Sequence, residues 1–217
     1  MDKPTFDYPL YLNLKGKTCL VVGGGQVAAR KIKRLLSSAA SVTVLAPQLT
    51  PALSALVSSG QLIWKKQLFI AGETAGFFLV IAATDKPATN ALVAAEANAH
   101  GQLCNITSAP EQGSCITPGL VRQGLLRFTV SAGGSAALSK ALTADLRAYY
   151  NEDFIEFAAF ISTQREEVKL LFATSPEREA LWRQLLTPEL LQLVHTGHLQ
   201  QAKERVKYAI DGFRSQS

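Results

Sequence analysis

A doubly wound α/β domain followed by a helical region is the fold class this 217-residue chain predicts. Three features predict it: a strand, glycine turn, helix and second strand over residues 18–46, a strand apolar on both faces at 77–83, and helical spacing from Ala136 almost to the end. In order, Thr18-Cys19-Leu20-Val21-Val22 is a continuous apolar, β-rich run that meets Gly23-Gly24-Gly25 at once. In the next segment Val27, Ala28, Ile32, Leu35 and Leu36 share one helical face, and Arg30, Lys31, Lys33 and Arg34 take the other as its solvated back. Ser41–Ala46 is the second strand, stopped by Pro47, so residues 18–46 have the length of a crossover unit. Phe77–Ala83 suits the middle of a parallel sheet, because its two faces would both be covered by helices. An Ala-rich helix over 88–99 then leads to the short strand Leu103–Ile106.

After residue 115 the texture changes. Leu126–Ser131 alternates apolar and polar, which marks a strand with one open or partner-facing side, and Gly133-Gly134 breaks the chain. Thr174-Ser175-Pro176 and Thr187-Pro188 each offer an N-cap with proline just inside a helix, so three or four short helices are expected to close the chain. The expected division is a nucleotide-binding domain over 1–115, a linking region over 116–150 and a helical domain over 151–217.

Composition narrows the function. With 47% apolar and 18% charged residues the chain can bury its own core, which excludes disorder. Mean hydropathy is +0.12, yet charge or glycine interrupts every apolar stretch before the roughly 18–20 residues of a bilayer span. Met1–Asp7 holds two acids and no apolar run, so no secretory leader is expected and residence in the cytoplasm follows. Cys19, Cys104 and Cys115 are odd in number and form no CxxC, which supports neither a disulfide scaffold nor a metal site; they are expected to be small buried apolar groups. His100 sits where a helix ends, as a charge partner, and His195 and His198 flank Gly197 in a turn rather than pairing on a metal. The net charge of +5 is uneven: residues 1–115 hold ten Lys/Arg against six Asp/Glu, and residues 116–217 twelve against eleven. No dense basic stripe or nucleic-acid motif accompanies it, and the tilt fits either scattered solvated lysines, the simpler reading, or a small polyanionic ligand.

The glycine triplet is the strongest local signal. Gly23-x-Gly25-x-x-Ala28 fits G-x-G-x-x-G/A in its full setting of strand before and helix after, which identifies a Rossmann-like dinucleotide site. Gly23 allows the sharp turn, Gly25 bares the backbone for a diphosphate, and Ala28 lets helix and sheet approach, with Gly24 counted beside them in the cofactor-binding turn. Free N–H groups and the helix dipole then face the anion. The acid that usually meets a ribose 2′-hydroxyl should fall within Leu45-Ala46-Pro47-Gln48, which contains none. Gln48 can hydrogen-bond a ribose and no basic residue stands beside it for a 2′-phosphate, so NAD is the expected cofactor and NADP the alternative.

Several segments in a fixed order carry a resemblance to a known family. Pro9–Lys17 and Val21–Lys31, then Val42–Pro47, Val80–Asn90, Cys104-Asn105-Ile106, Pro118 and Val130–Leu138, resemble the precorrin-2 dehydrogenase family, including the amino-terminal module of sirohaem synthase. The resemblance covers about residues 8–150, and the rest matches as a helical tail. It implies oxidation of precorrin-2 to sirohydrochlorin with NAD, insertion of ferrous iron in some members, and a homodimer built through residues 116–150. It also implies that Gln26 and Val27 follow the phosphate turn, that Pro47 and Gln48 border the adenosine ribose, and that Thr84 and Asp85 edge the nicotinamide side. Asn105 and the loop of Ser131, Gly133, Gly134 and Ser135 would line the substrate side.

One departure bears on chemistry. Where the family's "CNVVD" strand ends in an aspartate taken as general base, Cys104-Asn105-Ile106-Thr107-Ser108 places Ser108. A serine accepts no proton at neutral pH without a base, and no histidine lies in this loop, although Asp85 or Glu111 could reach it. Ser135-Ala136-Ala137 likewise replaces the family's Lys-Ser-Pro. Alongside the dehydrogenase stand two other readings: a bifunctional dehydrogenase and ferrochelatase, and a tetrapyrrole- and dinucleotide-binding module without turnover. With the sequence ending near residue 217, no carboxy-terminal methyltransferase module is expected.

Overall fold

The computed structural model describes Phe6 and residues 8–214; the charged amino-terminal stretch, at residues 1–5 and 7, lies outside the described residues. Two compact units are present, the first ending at Thr117 and the second starting at Pro118.

In the first unit β1 (Thr18–Val22), β2 (Ser41–Leu45), β3 (Ile63–Lys65), β4 (Leu79–Ala82) and β5 (Leu103–Ile106) form one sheet in the order β3-β2-β1-β4-β5, parallel throughout. Helices α1 (Gln26–Leu36), α2 (Pro51–Ser58) and α3 (Pro87–Ala99) supply the crossovers. Strand β1 feeds both cores because successive side chains point to opposite faces. Cys19 and Val21 pack with Ala28, Ile32 and Leu35 of α1, while Leu20 and Val22 pack with Val93, Ala94 and Ala97 of α3. Each fully buried Val, Leu or Ile contributes about 1.5–3 kcal/mol, so the runs of four buried residues in β1, β2 and β4 are a large part of the stability of this unit.

Two details differ from the sequence reading. The 77–83 strand is shorter, β4 beginning at Leu79, because Phe77 and Phe78 lie ahead of the ladder and pack half-buried against the two cores. The edge strand β3 has no counterpart in the sequence pattern, since three residues give no period to read. The loop that follows it is pinned by Glu96 of α3, whose carboxylate accepts from Gly72 N at 2.8 Å and from Thr74 N and Oγ1 at 2.7 and 2.6 Å. Burial works against the charge, and these donors outweigh it, holding the carboxyl below its ordinary pKa. Thr74 Oγ1 also lies 3.2 Å from His100 Nδ1, at the C-cap of α3.

In the second unit β6 (Gly119–Gln123) and β7 (Leu126–Val130) pair antiparallel, and α4 (Ala136–Tyr149) packs on them without a fully buried residue. Helices α5 (Glu152–Leu171), α6 (Ser175–Leu185), α7 (Pro188–His195) and α8 (Leu199–Arg214) close around Phe154, Phe157, Val168, Leu181, Val194, Val206 and Ile210. His195 stacks among rings, 4.0 Å from Tyr149 and 4.2 Å from Phe154 between centroids. No helix among the described residues is long and apolar enough to cross a membrane.

The helix starts at 174 and 187 are as read. Thr174 Oγ1 accepts from Glu177 N at 3.4 Å while the Glu177 carboxylate accepts from Thr174 N at 3.1 Å, a reciprocal capping box. Thr174→Ala should therefore cost about 1 kcal/mol in urea unfolding followed by helical circular dichroism; an unchanged midpoint would show that this cap contributes nothing.

Candidate functional site: the carboxyl edge of the parallel sheet

Because β1, β2, β4 and β5 run the same way, the segments that follow them emerge at one edge. Gly23–Val27, Pro47-Gln48, Thr84-Asp85 and Thr107-Ser108 all lie there. The backbones converge so closely that side chains are excluded. Gly23 has φ +124°, donates its N–H to Leu45 O at 2.9 Å, and a Cβ on it would stand 2.4 Å from Ala83 O. A Cβ on Gly24 would stand 2.0 Å from Gln48 O.

Gly25 differs from both: nothing lies within 4 Å of where its Cβ would be. It is the N-cap of α1, with no side chain capping the helix and no acid in the first turn. The first-turn N–H groups of α1, including those of Gln26 and Val27, are thus left without an intrahelical acceptor beside an open approach. An anion fits this arrangement, and a diphosphate is the anion that a turn of this form accepts. Ala28 is fully buried and brings α1 down onto the sheet.

Pro47 and Gln48 are exposed beyond β2, and the Gln48 carbonyl is the group that requires Gly24. Lys65 on β3, in register with Leu45, is ion-paired to Glu73 at 2.6 Å, and Lys66 lies over the Trp64 ring. Val27 is 38% exposed. The helical period places it on the apolar face, but as the second residue of α1 it lies at the rim and not over the sheet.

Thr84 and Ser108 are joined through a residue not singled out by the sequence. Asn90 of α3, 1% exposed, accepts from Thr84 N and Thr84 Oγ1 through Oδ1, and donates through Nδ2 to Thr84 O at 3.1 Å and to Ser108 Oγ at 3.0 Å. The only sequence signal was its place at the end of the Val80–Asn90 segment. Asp85 and Glu111 are exposed carboxylates.

Asn105 is placed differently from its expected companions. It is 3% exposed, its Nδ2 donates to Cys115 O at 3.0 Å, and its Oδ1 is without a partner among the described residues. Its amide therefore holds the chain after the 3₁₀ turn Pro110–Gln112. Ser131, Gly133, Gly134 and Ser135 belong to the second unit. Ser131, Gly133 and Gly134 are exposed, and Ser135 is the N-cap of α4, its Oγ accepting from Leu138 N at 3.3 Å.

Burial pushes the Cys19 and Cys104 thiols up to about 11, and that of Cys115 upward as well, so none is a ready nucleophile. Lys31 corrects the reading of a wholly solvated basic face. It is half-buried and donates to Thr117 Oγ1. Burial first, then the charges of Arg34 and Arg30, lower its pKa to about 8. Among the described residues no three His, Cys, Asp or Glu side chains come together to hold a metal ion. A shallow cavity of about 420 Å³, lined by Lys17, Thr18, Phe78, His100 and Gln102 among others, lies at the opposite edge, where β1, β4 and β5 begin, and is separate from this site.

Comparisons with known proteins agree with the fold. Residues 10–119 match the family model described as "Putative NAD(P)-binding", and residues 156–210 match the one described as "Sirohaem synthase dimerisation region". "Siroheme synthase 1" of Aeromonas salmonicida is 38% identical over 187 residues, 85% of this chain and 40% of the relative. "Siroheme synthase" of Methylobacillus flagellatus is 33% identical over 205 residues, 94% of this chain and 44% of the relative. The chain thus spans about two fifths of the length of these curated relatives. A solved structure described as "SirC, precorrin-2 dehydrogenase" superposes with a TM-score of 0.72 at 28% identity, covering 91% of this chain and 99% of that one.

The glycines separate two effects. Gly24→Ala should destabilise the first unit by about 2 kcal/mol, since backbone must move, whereas Gly25→Ala should leave stability nearly unchanged and still weaken NAD binding in calorimetry. Equal stability losses for the two would contradict the open approach at Gly25. Lys31 gives a pH test. Between about pH 8 and its ordinary 10.5 the unfolded chain holds a proton that the folded chain has shed, so this group adds stability as pH rises. Cys19 and Cys104 act in the opposite sense in both proteins, and Cys115 does so more strongly once the Lys31 charge that opposes its shift is gone, so wild type should gain on Lys31→Met from pH 8 to 10 in denaturant unfolding; a constant difference would refute the burial of this amine.

Proposed function

Because the chain belongs to the family of precorrin-2 dehydrogenases and sirohaem synthase amino-terminal modules, we propose that it oxidises precorrin-2 to sirohydrochlorin with NAD as acceptor. The observation that carries this reading is the open approach at Gly25, with the uncapped start of α1, on the same edge as Thr84 and Ser108. When bound, NAD supplies the hydride acceptor. Gly24 and Gly25 and the N–H groups of Gln26 and Val27 would hold its diphosphate, Pro47 and Gln48 would border the adenosine ribose, and Thr84 and Asp85 would edge the nicotinamide side. NAD is preferred to NADP because Gln48 offers a hydroxyl partner and Lys65 is already paired with Glu73.

Two electrons and one proton leave precorrin-2 as hydride, and a second proton is released. Ser108 is a neutral hydroxyl and takes no proton at neutral pH, so the released proton passes to water at this exposed rim. Rate acceleration then comes chiefly from alignment of the reacting carbon with the nicotinamide, which supplies on the order of 7 kcal/mol in well-oriented systems. The basic tilt of the first 115 residues draws the polycarboxylate substrate. The helices matched to the dimerisation model support a homodimer.

Purified protein given precorrin-2 and NAD should produce NADH absorbance, with a smaller rate for NADP. Tight binding of both ligands without NADH would overturn the dehydrogenase in favour of a binding module, the reading that Ser108 motivates. Ferrous iron with sirohydrochlorin, assayed separately, should give little sirohaem, because the loop carboxylate that would take the pyrrole protons is absent.

A further inference from the structure

The hydrogen bonds of Asn90 fix which way the Ser108 hydroxyl can point. An asparagine amide can usually be placed in two orientations, but here the backbone decides. Thr84 N can only donate and Thr84 O can only accept, so the atom facing the first is Oδ1 and the atom facing the second is Nδ2. Nδ2 is therefore also the atom 3.0 Å from Ser108 Oγ, and Ser108 accepts from it. Both amide hydrogens of Asn90 are used, one on Thr84 O and one on Ser108, and Oδ1 receives Thr84 N and Thr84 Oγ1, the latter at 2.7 Å. The amide is saturated and buried, with no freedom to turn.

The consequence falls on Ser108. Its one hydroxyl hydrogen cannot lie toward Asn90, and it meets no acceptor among the described residues, while the residue itself is exposed at the carboxyl edge. It is available only to something that approaches from outside. We propose that Asn90 is a positioning residue which presents Ser108 as a hydrogen-bond donor to a carboxylate of the tetrapyrrole. This rests on the function proposed above for the identity of the ligand, and it adds a role that a carboxylate in the same place could not fill. An ionised acid accepts and repels carboxylates, whereas a hydroxyl held as this one is donates to them. Through Thr84 the same amide ties the nicotinamide side of the rim to the substrate side, so the two are held in one register.

Binding of sirohydrochlorin, followed by fluorescence quenching, tests this without requiring turnover. Ser108→Ala should weaken it about fivefold, and Asn90→Ala by a similar factor. The double variant should be no weaker than either single one, because Asn90 acts through Ser108. Ser108→Asp should weaken binding more than Ser108→Ala does, by tenfold or more. NAD affinity of Ser108→Ala, measured by calorimetry, should stay within about twofold of wild type. In turnover, the loss in Ser108→Ala should fall mainly on KM rather than kcat.

Additive losses in the double variant, a loss confined to NAD binding, or tighter sirohydrochlorin binding by Ser108→Asp would each overturn the inference. If Asn90→Ala does not fold, as judged by circular dichroism, the Ser108→Ala and Ser108→Asp comparison decides alone. Wild type that binds sirohydrochlorin with the expected pattern of variants but makes no NADH removes the dehydrogenase reading and leaves this one standing. Turnover by wild type with the wrong pattern removes this one alone, and wild type that neither binds nor turns over removes both.

Discussion

Everything at the candidate site depends on a close meeting of main chains in which no side chain fits. The turn after β1 passes against Ala83 O through Gly23 and against Gln48 O through Gly24, at separations a Cβ would fill. This contact fixes how closely the segments after β2, β1 and β4 approach one another at the carboxyl edge. It also explains why three adjacent glycines have three different jobs. Two are required by neighbouring backbone, and the third leaves the start of α1 bare. α2 and α3 also start without a side-chain cap, so what sets α1 apart is the open approach at Gly25 ahead of a fully buried Ala28.

The first unit was largely legible from its residues because its rules are local. A strand apolar on both faces must be covered twice, and a glycine turn between strand and helix has few uses. What escaped was whatever depends on a partner far along the chain. Ile63-Trp64-Lys65 becomes a strand only because β2 offers an edge, and Gly119–Gln123 only because β7 folds back on it. Lys31 reads as one of four solvated cations until Thr117 arrives beside it. Val27 fits the period of the apolar face, yet the face runs past the sheet before reaching it.

At the site, legibility divides along the same line. The phosphate turn can be argued from its glycines alone, while the meaning of Ser108 cannot. Read as a letter, it is the loss of a carboxylate. Read in place, it is the outer end of a saturated polar chain running from the Thr84 backbone through Asn90. An asparagine in the first turn of an Ala-rich helix gives no sign of this, since its burial arises only when the ends of β4 and β5 lie side by side. Asn105 shows the converse, a polar residue in a promising motif that the fold turns inward to support Cys115.

The arrangement of β1 also has a bearing on how the protein is made. Cys19 pairs with Val42 on one side and with Leu79 on the other, so the central strand waits half-zipped while the intervening chain is synthesised. Such distant parallel pairings form slowly, and the bare edges exposed meanwhile invite aggregation. The sheet is not complete until β5, ending at Ile106, has joined β4. A ligand that binds only the finished domain would then shift the balance toward it by mass action.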